Sequence, residues 1–329
     1  MIAMEELPQS QPLWEIHMIK YPTSEAEGNA IFKLHHSLGD GFSLMGALLS
    51  CLQRADNPAM PLTFPSVQLH NNKLEGKRNS ICRSLLSFFS WGLHTISDFG
   101  SSIIKSSLYE DDKSPIRSGH PAVECLPVSV VTLSFSLHHI KQIRTKLGVT
   151  INDVITGTIF LATRLYMETV KQGSGKARTT SLVLLNTRMF GGYKSVQEMV
   201  KPDAEESHPK KESSFAVFLT AKYLQLVRKF RGPEAVSKHL HGTLKNTSLG
   251  ITNVIGPMEQ MALANHPVKG LYFVVTESDD RVLSYMGKLR VAALVEKDFI
   301  DPQNFKFHMQ NAFDMIFKAA FGASPSPAN

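Results

Sequence analysis

Three cysteines in 329 residues, at positions 51, 82 and 125, are too few, too far apart and odd in number for a disulfide framework. They do not form a CxxC metal site either, and they fit a reducing compartment. No run of five or six like charges occurs, so the basic balance comes from scattered residues and does not by itself name a nucleic acid. The opening MIAMEELPQSQPLWEIHMIKYP lacks the basic flank and apolar centre of a signal peptide. The best membrane candidate, SLLSFFSWGLHTIS (Ser84 to Ser97), is free of Asp, Glu, Lys and Arg but is only 14 residues long and is followed by Asp98. A spanning helix needs roughly 20 residues. The segment fits a helix lying in a membrane interface or a plain buried or partner-facing helix equally well. No repeat with a period of 20 to 50 residues is visible.

What is present is the composition of a globular chain, 43% hydrophobic and 19% charged, long enough for one large or two moderate domains. The net charge of +6 and pI near 9.1 favour an anionic partner, such as a phosphate-bearing molecule or an anionic membrane face.

Along the chain, PLWEIHMIKY and NAIFKLHH read as strands joined by a polar turn. FSLMGALLSCLQRA has helical spacing with Ser43 as the expected N-cap. Asp56 to Asn79 reads as a loop, Ser80 to Leu108 as an apolar helical stretch, and YEDDKSPIRSGHPA as a polar linker at a subdomain boundary. The second half opens with the strand PVSVVTLSFS and the helix LHHIKQIRTKLG, whose face is Leu137, Ile140, Ile143 and Leu147 and whose stop is Gly148. TINDVITGTIFLATRLYMETV predicts a long buried helix with Thr150 or Asn152 at its cap. TTSLVLLNTR predicts a strand buried on both faces. SFAVFLTAKYLQLVRKF predicts a helix, and LGITNVIGP, KGLYFVVTES and GKLRVAALVEK three strands. Asp301 and Pro302 cap a terminal helix, and an Ala/Ser/Pro tail at 323–329 is expected to be disordered.

The chemistry concentrates in LHHSLGDG. If the strand runs through His36, alternation places His36 with Phe32 and Leu34 on the apolar face and His35 on the other. The two imidazoles then cannot share a metal ion, and no zinc site is expected. His36 would point into a core or tunnel, neutral and able to accept a proton. Asp40, between Gly39 and Gly41, would brace the bend rather than relay a proton. No GxSxG elbow supplies a covalent nucleophile, so the stretch supports direct transfer assisted by one general base. A lone histidine on an apolar face is more often a satisfied core residue. His138-His139, which lacks a following Asp-Gly, reads as a helix surface.

The heptapeptide His35 to Gly41 resembles the HHxxxDG signature of the CoA-dependent acyltransferase superfamily, which includes chloramphenicol acetyltransferase, condensation domains and plant alcohol acyltransferases. PLWEIHMIKYPTSEAEGNAIFKLHHSLGDGFSLMGALLS, TINDVITG, LVLLNTR, GITNVIGPMEQMALANHPVKG and MGKLRVAALVEKDFIDPQNF stand in the order found in the plant bifunctional wax ester synthase/diacylglycerol acyltransferase family, which the chain resembles. That resemblance implies an α/β, two-subdomain, chloramphenicol acetyltransferase-like fold with mixed sheets flanked by helices. Residues 1–118 would be the N-terminal subdomain and 119–322 the C-terminal one. It implies acyl transfer from acyl-CoA, a co-substrate and not a bound cofactor, to a fatty alcohol or diacylglycerol. His36 would be the general base, with His35 and Gly41 shaping the motif. Arg188 would be the partner of Asp40, or else a surface arginine after a strand. Asn253 would be an oxyanion or tunnel donor, or else an Asn satisfying the turn before Gly256-Pro257. Asn152 and Asp153 match the family's ND pair and serve equally as a helix cap, the favoured reading. A peripheral place at the endoplasmic reticulum or plasma membrane is implied, with a cytoplasmic alternative. The nucleic-acid reading is set aside. A soluble alcohol acyltransferase would carry a DFGWG-type motif, which is absent from the sequence.

Three departures from the family pattern are visible. The chain starts almost at the PLWE strand, KPDAEESHPKKESSF replaces a longer segment, and Asp279-Asp280 interrupts an apolar run. They suggest an incomplete first subdomain and weakened or absent activity. An inactive member that binds lipid, CoA or an intact homologue is the competing expectation.

Overall fold

The computed structural model describes residues 2, 5–8, 10–23, 26–39, 41–60, 62, 101, 109–120, 126–184, 215–275 and 279–322. The expectations for most of the Asp56–Asn79 loop, for all of the Ser80–Leu108 stretch but Ser101, and for the 323–329 tail lie outside these residues.

Strands β1 (Trp14–Ile19) and β2 (Asn29–Leu34) form an antiparallel hairpin with Trp14 opposite Leu34, Ile16 opposite Phe32 and Met18 opposite Ala30. Alternation therefore gathers these six apolar side chains on one face. The other face carries Glu15, which bonds His17 (3.0 Å) and pairs with Lys33 (3.6 Å). Helix α1 (Gly41–Ser50) follows, then the short strand β3 (Gln53–Arg54). Gly41 already opens the helix, so Ser43 lies inside its first turn and is not the N-cap expected from sequence.

The main sheet has five strands: β4 (Val128–Ser136), β5 (Ser181–Leu184), β6 (Leu249–Ile255), β9 (Asp279–Tyr285) and β10 (Lys288–Glu296), in the order β4-β10-β9-β6-β5. β4, β10 and β9 pair antiparallel, while β9, β6 and β5 pair parallel. Three helices cover one face: α2 (Leu137–Leu147), α3 (Ile151–Val170) and α6 (Pro302–Phe321). Alternation in β10 sends Leu289, Val291, Ala293 and Val295 into this layer, where they meet Ile140 and Ile143 of α2, Ile155 and Ile159 of α3, and Met309 and Phe313 of α6. Burying each such side chain is worth about 1.5–3 kcal/mol, which makes this layer the main stabilising unit.

Local signals explain why the helices start where they do. Thr150 caps α3 through a reciprocal box, its side chain accepting from the Asp153 N–H while the Asp153 carboxylate accepts from the Thr150 N–H at 2.8 Å. Those bonds hold the Asp153 carboxyl below the usual carboxylate range. Asp301 caps α6 by accepting from Gln303 and Asn304 N–H, with Pro302 at the first turn. Its own N–H donates to the buried Tyr166 hydroxyl (3.1 Å), tying the start of α6 to α3.

The opposite face of the sheet is covered by α1 and a small antiparallel sheet of β3, β7 (Met261–Leu263) and β8 (His266–Pro267). Met45 and Leu49 of α1 pack with Met261 on Leu283 and Tyr285 of β9. The Tyr285 hydroxyl accepts from Met261 N–H and donates to the Val268 carbonyl, pinning the small sheet to the large one. Helices α4 (Phe215–Arg231) and α5 (Pro233–Asn246) form a pair leading into β6, joined by a ring contact between Tyr223 and His239 (5.4 Å).

Three sequence expectations are corrected. TTSLVLL contributes the sheet's edge strand, with Val183 exposed, because its outer neighbour position is empty among the described residues. KGLYFVV forms no strand; the strand is Asp279–Tyr285, so the acidic pair opens a central strand and does not interrupt the sheet. YEDDKSPIR is a clasp rather than a slack linker. Asp111 is 5% exposed, and its carboxylate accepts from the N–H and hydroxyl of both Thr180 and Ser248, stapling the starts of β5 and β6. Arg117 donates to the carbonyls of Asp111 and Lys245 and to Glu110.

Candidate active site

The histidine turn is built by the end of the hairpin. β2 stops at Leu34, so the alternation expected to carry His36 into the interior ends two residues too early. His35 takes an extended conformation as the cap of a single 3-10 turn, His36–Leu38. Its Nδ1 receives the Ser37 backbone N–H (3.2 Å) and lies 2.6 Å from the Ser37 hydroxyl. An N–H can only donate, so Nδ1 is an acceptor and the ring proton sits on Nε2. The second donor to Nδ1 is then the Ser37 O–H. The His35 ring is thereby held within the turn by Ser37.

His36 differs. It opens the 3-10 turn and is exposed, so the burial expected from sequence is absent. Its backbone carbonyl accepts from Gly39 N–H, and its ring makes no hydrogen bond among the described residues. The imidazole is thus unengaged by the described residues. Gly39 lets the turn close against α1, since a Cβ there would stand 3.0 Å from the Ser43 Cβ. Gly41 is the first residue of α1. Asp40 and Arg188 lie outside the described residues, and so does the pairing expected between them.

Asn253 sits inside β6, two residues before its end, and is therefore not the turn residue that the alternative reading made it. It shares the helix-covered face with Ile251, because Asn253 is in register with the buried Val282. There its amide donates to the Asn152 side-chain oxygen (2.6 Å), at the first turn of α3. Two stretches singled out in the sequence, TINDVITG and GITNVIGP, are thus joined side chain to side chain. Asn152 leaves the capping work to Thr150 and Asp153, which corrects its half of the cap reading. No hydrogen bond links this pair to the histidine turn among the described residues.

Sequence reasoning missed Arg290. It is 5% exposed on the α1-side face of β10, donates to the Lys269 carbonyl (3.1 Å) and lies over the Tyr272 ring (5.3 Å). Its signal was only the strand pattern, in which it occupies an apolar position. The hollow lined by Phe135, Ile159, Leu289, Val291 and Phe313 is apolar and about 10 Å³, room for a water and not for an acyl chain. Among the described residues no cluster of His, Cys, Asp and Glu could hold a metal, and no helix is long and apolar enough to cross a membrane.

Comparison with known proteins decides the lineage. Residues 1–155 match the family model described as the wax ester synthase/diacylglycerol acyltransferase catalytic domain, and residues 185–317 match the WS/DGAT C-terminal domain. The chain belongs to the wax ester synthase/diacylglycerol acyltransferase family. Relatives from Arabidopsis thaliana include wax ester synthase/diacylglycerol acyltransferase 4, 25% identical over 90% of this chain and 67% of its own length. Number 11 is 26% identical over 79% and 62%, and number 1 is 25% identical over 98% and 75%. The chain therefore spans between 62% and 75% of the length of these three. A solved structure, the wax ester synthase/diacylglycerol acyltransferase from Marinobacter aquaeolei VT8, superposes with a TM-score of 0.54 at 14% identity, covering 98% of this chain and 74% of that one. That likeness establishes the shared fold of this acyltransferase family, the mixed sheet flanked by helices.

Proposed function

We propose that this chain is an acyl-CoA-dependent O-acyltransferase that esterifies a long-chain alcohol, a diacylglycerol or both. The observation that carries the reading is an intact HHSLGDG sequence in a chain matched to the family's catalytic domain, with the His36 ring free of protein partners among the described residues.

In this reading His36 takes the hydroxyl proton as the alcohol oxygen attacks the thioester carbonyl carbon. The C–O bond forms, the C–S bond breaks, and the departing sulfur takes the proton back from His36 to leave as CoA thiol. No acyl-enzyme forms. His35, held by Ser37, fixes the turn that aims its neighbour. Asn253 keeps a second amide N–H for the oxyanion. Asp40 and Arg188, which lie outside the described residues, are assigned the part of a structural pair in this reading, with a surface arginine as the alternative for Arg188. Acyl-CoA is consumed as co-substrate, without a resident cofactor. The apolar substrates support a reaction at a membrane surface, with the endoplasmic reticulum or plasma membrane as the proposed location and the cytoplasm as the alternative.

The exposure of His36 favours a second reading, in which the chain binds lipid, CoA or an intact homologue without turnover. Measuring ester formation from palmitoyl-CoA with hexadecanol or dioleoylglycerol, alongside palmitoyl-CoA binding, separates the two. Ester formation supports transfer; binding without ester supports the second reading.

A further inference from the structure

The basic excess of the chain is concentrated in one place. The α4–α5 pair, residues 215–246, carries Lys222, Arg228, Lys229, Arg231, Lys238 and Lys245 against a single acid, Glu234. That is six of the chain's 35 basic side chains and one of its 29 acidic ones, a net +5 of the total +6, leaving the rest at +1. None of Arg228, Lys229 and Arg231 pairs with a carboxylate among the described residues.

The same pair exposes apolar side chains. Phe230 is 77% exposed, Leu226 53% and Leu240 46%. On α4 the spacing of Lys222, Leu226, Lys229 and Phe230 puts all four on one side of the helix, and all four are exposed. An apolar strip edged by lysines is thereby turned to solvent, and Tyr223, seven residues before Phe230 and beside it on the same side, contacts His239 of α5 at the strip's edge. α5 buries none of its residues, and the two helices pack chiefly on each other among the described residues. A cytosolic protein partner would be expected to meet such a strip with an apolar core and few charges. A helix with a basic rim and projecting Phe and Leu suits the boundary between anionic headgroups and acyl chains.

We infer that the α4–α5 pair docks on an anionic lipid surface, with Leu226 and Phe230 entering the acyl boundary and the basic side chains meeting headgroup phosphates and carboxylates. This deepens the membrane aspect of the proposed function by naming the surface that makes the contact. It does not depend on turnover.

The test uses the full chain with sedimented vesicles, without acyl-CoA. Vesicles of phosphatidylcholine with phosphatidylserine should bind it, and pure phosphatidylcholine should not; raising the salt toward 1 M should release it. Replacing Arg228, Lys229 and Arg231 together by Gln should lower the partition coefficient about a hundredfold. Phe230→Ser, at an exposed site that leaves the core untouched, should lower it severalfold with unchanged circular dichroism. Replacing Lys141, Arg144 and Lys146 of α2 by Gln should leave binding intact. Equal binding to neutral vesicles, equal loss in both triple variants, or indifference to Phe230→Ser would overturn the inference. So would displacement by polyglutamate that ignores Phe230, which would mark a protein-docking patch. Ester formation in detergent micelles by the Phe230→Ser chain should match the parent, which separates failure of docking from failure of the transfer reading.

Discussion

At the scale of single residues, adjacent histidines are given different work by one local event, the end of β2 at Leu34. His35 becomes a cap whose Nδ1 is occupied twice, and His36 keeps an open ring. His35→Ala is expected to cost about 1 kcal/mol through loss of the cap and to lower turnover without abolishing it. A denaturant melt alongside an ester assay would show this. Asp111 carries more stability: Asp111→Ala strands two backbone N–H groups and two hydroxyls, and should destabilise by about 2–5 kcal/mol in urea unfolding. His308 is buried on α6 against Tyr166, with neither ring nitrogen hydrogen-bonded among the described residues, and burial lowers its pKa from the ordinary 6.5. The unfolded chain then binds a proton more readily than the folded one between the folded pKa and 6.5. Stability from this group is present above pH 6.5 and falls as the pH drops through the folded pKa. Thermal melts at pH 7 and pH 5 should show a drop that His308→Leu reduces; an equal drop in both would locate the acid sensitivity elsewhere.

At the scale of elements, the junction of β6 with β9 holds the closest approach of a glycine to backbone among the described residues. A Cβ on Gly256 would stand 2.3 Å from the Ser284 carbonyl oxygen, so Gly256→Ala must push neighbouring central strands apart and should cost at least about 2 kcal/mol by chemical denaturation. Elements with strong local punctuation were legible in the sequence: the Thr150 and Asp301 caps, the Gly148 stop, and the β-rich runs of β4 and β10. β9 was not, because Asp279-Asp280 masked its apolar half and its turn is Met286-Gly287, both with positive φ. Such a two-residue turn favours a hairpin, but Met-Gly signals it less strongly than Asn-Gly. α5 was missed although Pro233 opens it, since its apolar residues do not form a buried stripe. The histidine motif was legible as a motif, while its geometry was not. Whether a strand ends at Leu34 or runs to His36 depends on the Ser37 bonds to His35, which periodicity does not reveal.

At the scale of the whole molecule, the histidine turn is carried to the main sheet by α1, whose Met45 and Leu49 rest on Leu283 and Tyr285, and by β3 pairing with β7. Arg54 strengthens that link through its contact with Glu259 (3.7 Å), while a two-pronged bond to Asp56 in its own segment holds the guanidinium in place. The Arg54 guanidinium holds the Asp56 carboxyl down at about 2, so this contribution is present above the ordinary carboxylate range and lost only as the pH falls toward 2. On the helix-covered face the Asn152–Asn253 bond joins α3 to β6. On the proposed oxyanion role of its second N–H, Asn253→Ala should lower turnover by roughly a hundred- to a thousandfold, with little change in palmitoyl-CoA binding. The most direct measurement of the central claim is thiol release from palmitoyl-CoA in the presence of hexadecanol, comparing the parent chain with His36→Ala at matched melting temperature. The account predicts ester and free CoA in equal amounts from the parent and neither above background from His36→Ala. Undiminished ester formation by His36→Ala would contradict it.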